Sequence, residues 1–161
     1  MMRFTRILGL LLVIAFPCAA QEISMETSNK PAPYVTYIAE PVSVPAGHSA
    51  PVELRFHIRP GYHINSHTPK SEFLIPTMFS LEGGRDVVVG AVVYPRGVDF
   101  SFSFDPKEKL DVYASDFTLA TKITARAGQH VLKGTLHYQA CNHAACFPPK
   151  SLPVEIVVNA K

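Results

Sequence analysis

The stretch Leu132-Lys133-Gly134-Thr135-Leu136-His137-Tyr138-Gln139-Ala140-Cys141 alternates apolar and polar residues with a period of two, the spacing of a strand that buries one face. It sets Leu132, Leu136 and Tyr138 on the inner side and Lys133, Thr135, His137, Gln139 and Cys141 on the wetter side. Leu152, Val154, Ile156 and Val158 repeat the alternation after a short connection. The two segments therefore read as a core hairpin with Cys141 and Cys146 at its linking end.

The rest of the chain has the same texture. Its 14 prolines and its many Val, Ile, Phe and Tyr residues leave no long window with helical spacing. Candidate strands cover residues 34–39, 42–44, 50–58, 62–65, 77–81, 87–94, 110–112, 117–124, 128–138 and 152–158. About seven to ten short strands, with turn signals roughly every 8 to 12 residues, predict an all-β, immunoglobulin-like β-sandwich. The antibody hallmark is missing, because there is no Trp and no widely spaced cysteine pair to bridge two sheets. Residues 34–161 form one expected domain, of a size that buries about two-thirds of its unfolded surface without help from a disulfide. Residues 21–33 are polar and Pro-containing, and are expected to be a flexible lead-in.

The first residues carry a different signal. Arg3 and Arg6 precede an apolar run from Ile7 to Phe16, followed by Pro17-Cys18-Ala19-Ala20, the layout of a secretory signal peptide cleaved after Ala20. The run is too short for a membrane span, which needs roughly 20 residues. Membrane contact is thus expected only through this segment before cleavage. An uncleaved anchor or a lipidated Cys18 are the alternatives, and the bulky Phe16-Pro17 argues against the second. Cleavage removes two of 15 basic residues and none of 13 acidic ones, leaving 13 of each. A near-neutral chain without a Lys/Arg cluster is a poor ligand for phosphate backbones, so no nucleic-acid partner is expected. Of three cysteines, Cys141 and Cys146 remain, an even number in a compartment where disulfides persist.

Three readings of that pair stay open on spacing alone. A Cys141–Cys146 bridge closes a ring of about six residues, worth about 2.2 kcal/mol in chain entropy against about 4.7 for a 100-residue loop. It joins neither the two sheets nor distant segments, so it is a poor staple and a candidate for exchange. His137, His143 and Lys150 lie near in sequence, and such neighbours stabilise a thiolate, the attacking species. A purely local structural disulfide is the second reading. The third is zinc held by His137, Cys141, His143 and Cys146, opposed by the stiff Phe147-Pro148-Pro149 that follows and by the lack of CxxC spacing. His63 and His67 have i, i+4 spacing, but Gly61 and Pro69 deny them a helix, and both are expected to be surface or turn residues.

The segment Tyr138-Gln139-Ala140-Cys141-Asn142-His143-Ala144-Ala145-Cys146-Phe147-Pro148-Pro149-Lys150 resembles the N-terminal periplasmic domain of the thiol:disulfide interchange protein DsbD. Pro60-Gly61-Tyr62-His63-Ile64-Asn65-Ser66 and Leu110-Asp111-Val112-Tyr113, leading into Phe117-Thr118-Leu119, are similar to further family motifs. The likeness runs from about Tyr34 to Val158. It implies an immunoglobulin-like sandwich in the periplasm whose Cys141 and Cys146 are redox-active. They would take electrons from a thioredoxin-like or membrane-bound donor and pass them to disulfide-containing client proteins. That is a thiol–disulfide oxidoreductase needing no cofactor and no metal.

The resemblance also implies a mobile cap loop with an aromatic residue over the sulfurs. Phe100, Phe102 and Phe104 match it by location, with Phe102 and Phe104 ahead of Phe100, and the buried face of a strand is the equal alternative. His143 and His137 are candidate thiolate modulators. By the same analogy Cys146 forms the intermolecular link and Cys141 resolves it. The spacing departs from members with five residues between the cysteines, since here there are four. The chain ends at Lys161 without the membrane-embedded and thioredoxin-like domains of DsbD, so the donor is expected in trans. The rival function is an immunoglobulin-like binding module whose disulfide only fixes a recognition loop.

Overall fold

The computed structural model describes residues 32–103 and 105–161. The expected signal peptide, residues 21–31 of the expected lead-in, and Phe104 lie outside the described residues. In chain order the strands are β1 (Val35–Ile38), β2 (Val42–Val44), β3 (Ala50–Ile58), β4 (His63–Asn65), β5 (Met78–Leu81), β6 (Val87–Val89), β7 (Val98–Phe102), β8 (Asp105–Tyr113), β9 (Phe117–Ala125), β10 (Gly128–Tyr138), β11 (Ala140–Cys141) and β12 (Lys150–Ala160). Among the described residues every regular element is a strand. The architecture is the expected all-β, immunoglobulin-like sandwich.

One sheet runs β1-β3-β9-β6 and a second β2-β12-β10-β5. In β3 the period of two is visible directly: Val52, Leu54, Phe56 and Ile58 are buried, while Glu53, Arg55 and His57 face water. The β10–β12 hairpin is an antiparallel ladder from Gly128↔Ala160 to Tyr138↔Lys150, with Leu132, Leu136, Tyr138, Val154, Ile156 and Val158 all buried. Phe56 joins the two sheets: its ring lies 5.1 Å from Phe117 and 5.9 Å from Phe79 on β5. Burying each such side chain stabilises the fold by about 1.5–3 kcal/mol. Gly134 faces the same core because a Cβ there would sit 2.8 Å from both the Phe79 ring and the Ser80 carbonyl.

The third sheet, β11-β4-β8-β7, carries the cysteine end. It enters through the turn Arg59-Pro60-Gly61-Tyr62, where Tyr62 N–H donates to Arg59 O at 3.1 Å and Gly61 has φ +84°. Proline at the second position and glycine at the left-handed third suit a type II turn. Two strand expectations change. The segment 87–94 is strand only to Val89, after which a single bridge, Val93↔Ala120, continues the contact. At Gly90 a Cβ would lie 3.2 Å from the Lys122 carbonyl, and glycine weakens a strand interior. Conversely β8 begins at Asp105 rather than Leu110. Residues 105–109 are all exposed and carry no apolar alternation, so periodicity could not find them.

Candidate active site

Alternation along β10 ends at Tyr138, because the chain leaves the β10–β12 sheet there and pairs β11 with β4 in a different one. Extrapolating the β10 phase puts Cys141 on the wet side. Cys141 is instead fully buried, at 0% exposure, with Ala140 buried beside it. A strand that changes sheets changes its inward direction, and counting residues in twos does not survive the change. Cys146, five residues on, is exposed. The two sulfurs are bonded, with their Cα atoms 3.9 Å apart.

The loop between them is held by its own backbone and by Asn142. Asn142 N–H donates to Ala145 O at 2.9 Å, and the Asn142 Oδ1 accepts from Ala144 N–H (2.8 Å) and Ala145 N–H (2.9 Å). This is the side-chain turn that Asn forms readily. Phe147 N–H donates to Ala140 O at 2.8 Å, closing the loop at its base. Gln139 braces the same point: its Nε2 donates to Phe147 O at 3.2 Å, and its Oε1 accepts from Asn65 Nδ2 at 3.2 Å. Asn65 also donates to Ile75 O at 2.9 Å. Sequence reasoning assigned no role to Gln139, Asn65 or Asn142. The signal was available, since Gln139 and Asn65 stand inside the two quoted motifs.

On the Cys146 side, Phe147 stacks on Tyr34 with centroids 5.0 Å apart, and Tyr62 lies 4.9 Å from Tyr34. Arg59 stands 4.2 Å over the Tyr62 ring and Lys150 Nζ 4.9 Å over Tyr34. These half-buried rings and two cations form a platform adjoining the exposed cysteine.

On the Cys141 side, the directly opposed residue on β4 is His63. The expectation that His63 is a surface residue is overturned: its side chain is 3% exposed. It belongs to a strand buried along its whole length, which the reading of His63 as a surface or turn residue missed. Burial lowers the His63 pKa from 6.5 to about 4, with the nearby His143 adding to the effect. His67 is half-buried, with Nδ1 3.0 Å from Thr77 O and its ring stacked 3.6 Å from Tyr94.

Phe100 and Phe102 belong to strand β7 and are half-buried. The Phe100 ring lies 4.0 Å from His63 and 6.1 Å from His143, while Phe102 lies 6.2 Å from His63. Both phenylalanines therefore lie on a strand, with their rings toward His63. Asp99 beside them pairs with Lys70, and that ammonium holds the Asp99 carboxyl below its ordinary pKa. A cavity of about 180 Å3 opens between Gly61, Tyr62, His63, Phe100, Ala114 and His143. His143 is exposed at this cavity, whereas His137 Nδ1 is engaged with Ser151 Oγ at 2.8 Å on the hairpin face. Among the described residues no three His, Cys, Asp or Glu side chains converge as a metal-binding group.

The chain matches, over residues 33–157, the family described as thiol:disulfide interchange protein DsbD, N-terminal. Among solved structures it is similar to the DsbD N-terminal domain of Neisseria meningitidis in the reduced form, at 21% identity and TM-score 0.47, covering 71% of this chain and 82% of that one. A complex between the DsbD N-terminal and PilB N-terminal domains of Neisseria meningitidis is similar at 19% identity and TM-score 0.44, over 65% and 73% of the two chains. The N-terminal periplasmic domain of ScsB from Proteus mirabilis gives 14% identity and TM-score 0.45, over 74% of this chain and 44% of that one. No curated protein matches the chain.

Proposed function

Since the chain belongs to the family of DsbD N-terminal thiol:disulfide interchange domains, we propose that it carries electrons in the periplasm from a thioredoxin-like or membrane-bound donor to oxidised client proteins. The observation that carries this reading is the asymmetry of the pair, in which a buried Cys141 is bonded to an exposed Cys146 at the end of a rigid hairpin. An incoming thiolate can reach Cys146 Sγ and is denied Cys141. Attack forms a donor–Cys146 bond, and Cys141 Sγ leaves with the electron pair of the broken disulfide. The donor's second thiol then displaces Cys146, so the donor is oxidised and the pair reduced. In the second half, Cys146 attacks a client disulfide, and Cys141 closes back onto Cys146 and expels the client as a thiol. No cofactor enters either half.

The Tyr34, Tyr62 and Phe147 platform supports docking beside Cys146, and Phe100 with Phe102 supports a shield on the opposite side. The test is covalent trapping. Cys141→Ala leaves Cys146 without its resolver and is expected to accumulate a mixed disulfide with a thioredoxin-like partner; Cys146→Ala is expected to accumulate none. Equal trapping by both variants would contradict the assigned order of attack. Absence of trapping in either, with partner binding unchanged, would favour a binding module.

A further inference from the structure

His63 has no role in the exchange described so far. Its Nε2 is buried and has no hydrogen-bond partner among the described residues, and such an orphaned polar atom calls for an explanation. It is the cross-strand neighbour of Cys141, and directly opposed residues of an antiparallel pair project from the same face. The Phe100 ring closes over it at 4.0 Å, and the 180 Å3 cavity beside it opens toward His143. Cys141 is buried, where a thiol resists ionising.

We propose that His63 is the proton partner of Cys141, taking up the proton that Cys141 must lose to become a thiolate. The inference deepens the exchange reading and rests on it. Starting from a client–Cys146 mixed disulfide, the Cys141 Sγ proton passes to His63 Nε2. The sulfur's freed electron pair forms the bond to Cys146 Sγ, and the client sulfur leaves with the pair of the bond that breaks, taking a proton from water. His63 then releases its proton to solvent through the cavity. In the charging half, the Cys141 thiolate that leaves is met by the same imidazole, recharged from solvent.

The groups facing this pair allow the role. β7 contributes Phe100 and Phe102, the turn contributes Tyr62, and the loop contributes His143; among the described residues lining the cavity none is a carboxylate. The ring is neutral at physiological pH while the disulfide is closed, as a proton acceptor must be. A neighbouring thiolate would raise its proton affinity.

Two measurements test this. In the Cys146→Ala background, the thiolate absorbance of Cys141 is titrated with His63 present, with His63→Gln and with His63→Phe. Either replacement is expected to lower the thiolate fraction at neutral pH about tenfold; superimposable curves in all three would overturn the role. In the wild-type chain, the imidazole signals of His63 are titrated by NMR in the oxidised and reduced forms. Reduction is expected to raise the proton affinity of His63 by about tenfold or more, and an unmoved midpoint would overturn it without relying on any substitution. A wild-type disulfide that thiols cannot open would defeat the exchange reading instead, and the Cys141 titration would still decide the role of His63.

Discussion

A carrier must remain folded in both redox states, so reduction of the Cys141–Cys146 bond is the perturbation to follow first. The bridge spans five positions of one loop, and closing a ring of about six residues contributes about 2.2 kcal/mol through the unfolded chain. The native structure supplies little that depends on it. Phe56, Leu54, Leu119, Leu136 and Ile156 are fully buried in the two large sheets, and the β10–β12 ladder runs from Gly128 to Tyr138 before the first cysteine is reached. Asn142, Gln139 and Phe147 hold the loop by hydrogen bonds that need no sulfur bond. Reduction is therefore expected to lower stability by about 2.2 kcal/mol, about fortyfold in the unfolding equilibrium, with the same urea m-value in both forms. Urea unfolding of oxidised and reduced protein, followed by circular dichroism, measures both quantities. A reduced chain that is unfolded without denaturant, or one whose m-value falls, would refute the argument that the fold stands independently of the bridge.

Further outcomes follow from single side chains. The native pKa of His63 lies at about 4, below its unfolded value of 6.5, so its stabilisation is whole above pH 6.5 and is lost as pH falls through 4. The total is about 3 kcal/mol; denaturant titrations of the oxidised protein across that window should show the loss, and His63→Phe should flatten it. Phe56→Ala empties the junction of the two sheets and is expected to cost about 3–5 kcal/mol, read as a lowered urea midpoint. Phe100→Ala removes the ring over His63 and should speed reduction of the disulfide by a small dithiol several-fold. An unchanged rate would show that β7 does not guard the pair.

Much of the sandwich was legible because its long strands each bury one face. β2, β3 and β10 were placed at their observed bounds, and the apolar beat of β12 was found with its ends clipped. Apart from the strand cut short at Gly90, the misses had a common cause. The N-terminal half of β8 is exposed on both faces, and β11 joins a different sheet from β10, so neither obeys the rule that revealed the others. The same switch hid the burial of Cys141 and, through its pairing with β4, that of His63. The cysteine pair itself was legible from spacing and from the flanking motif. Its asymmetry was not, because burial at a sheet-changing residue is a property of three dimensions.

The equilibrium reduction potential of the Cys141–Cys146 pair, measured against glutathione or thioredoxin, tests the central claim most directly. The account predicts a value among exchange proteins, between about −270 and −120 mV. A value below about −300 mV, in the range of structural bridges that the glutathione pool does not open, would contradict it.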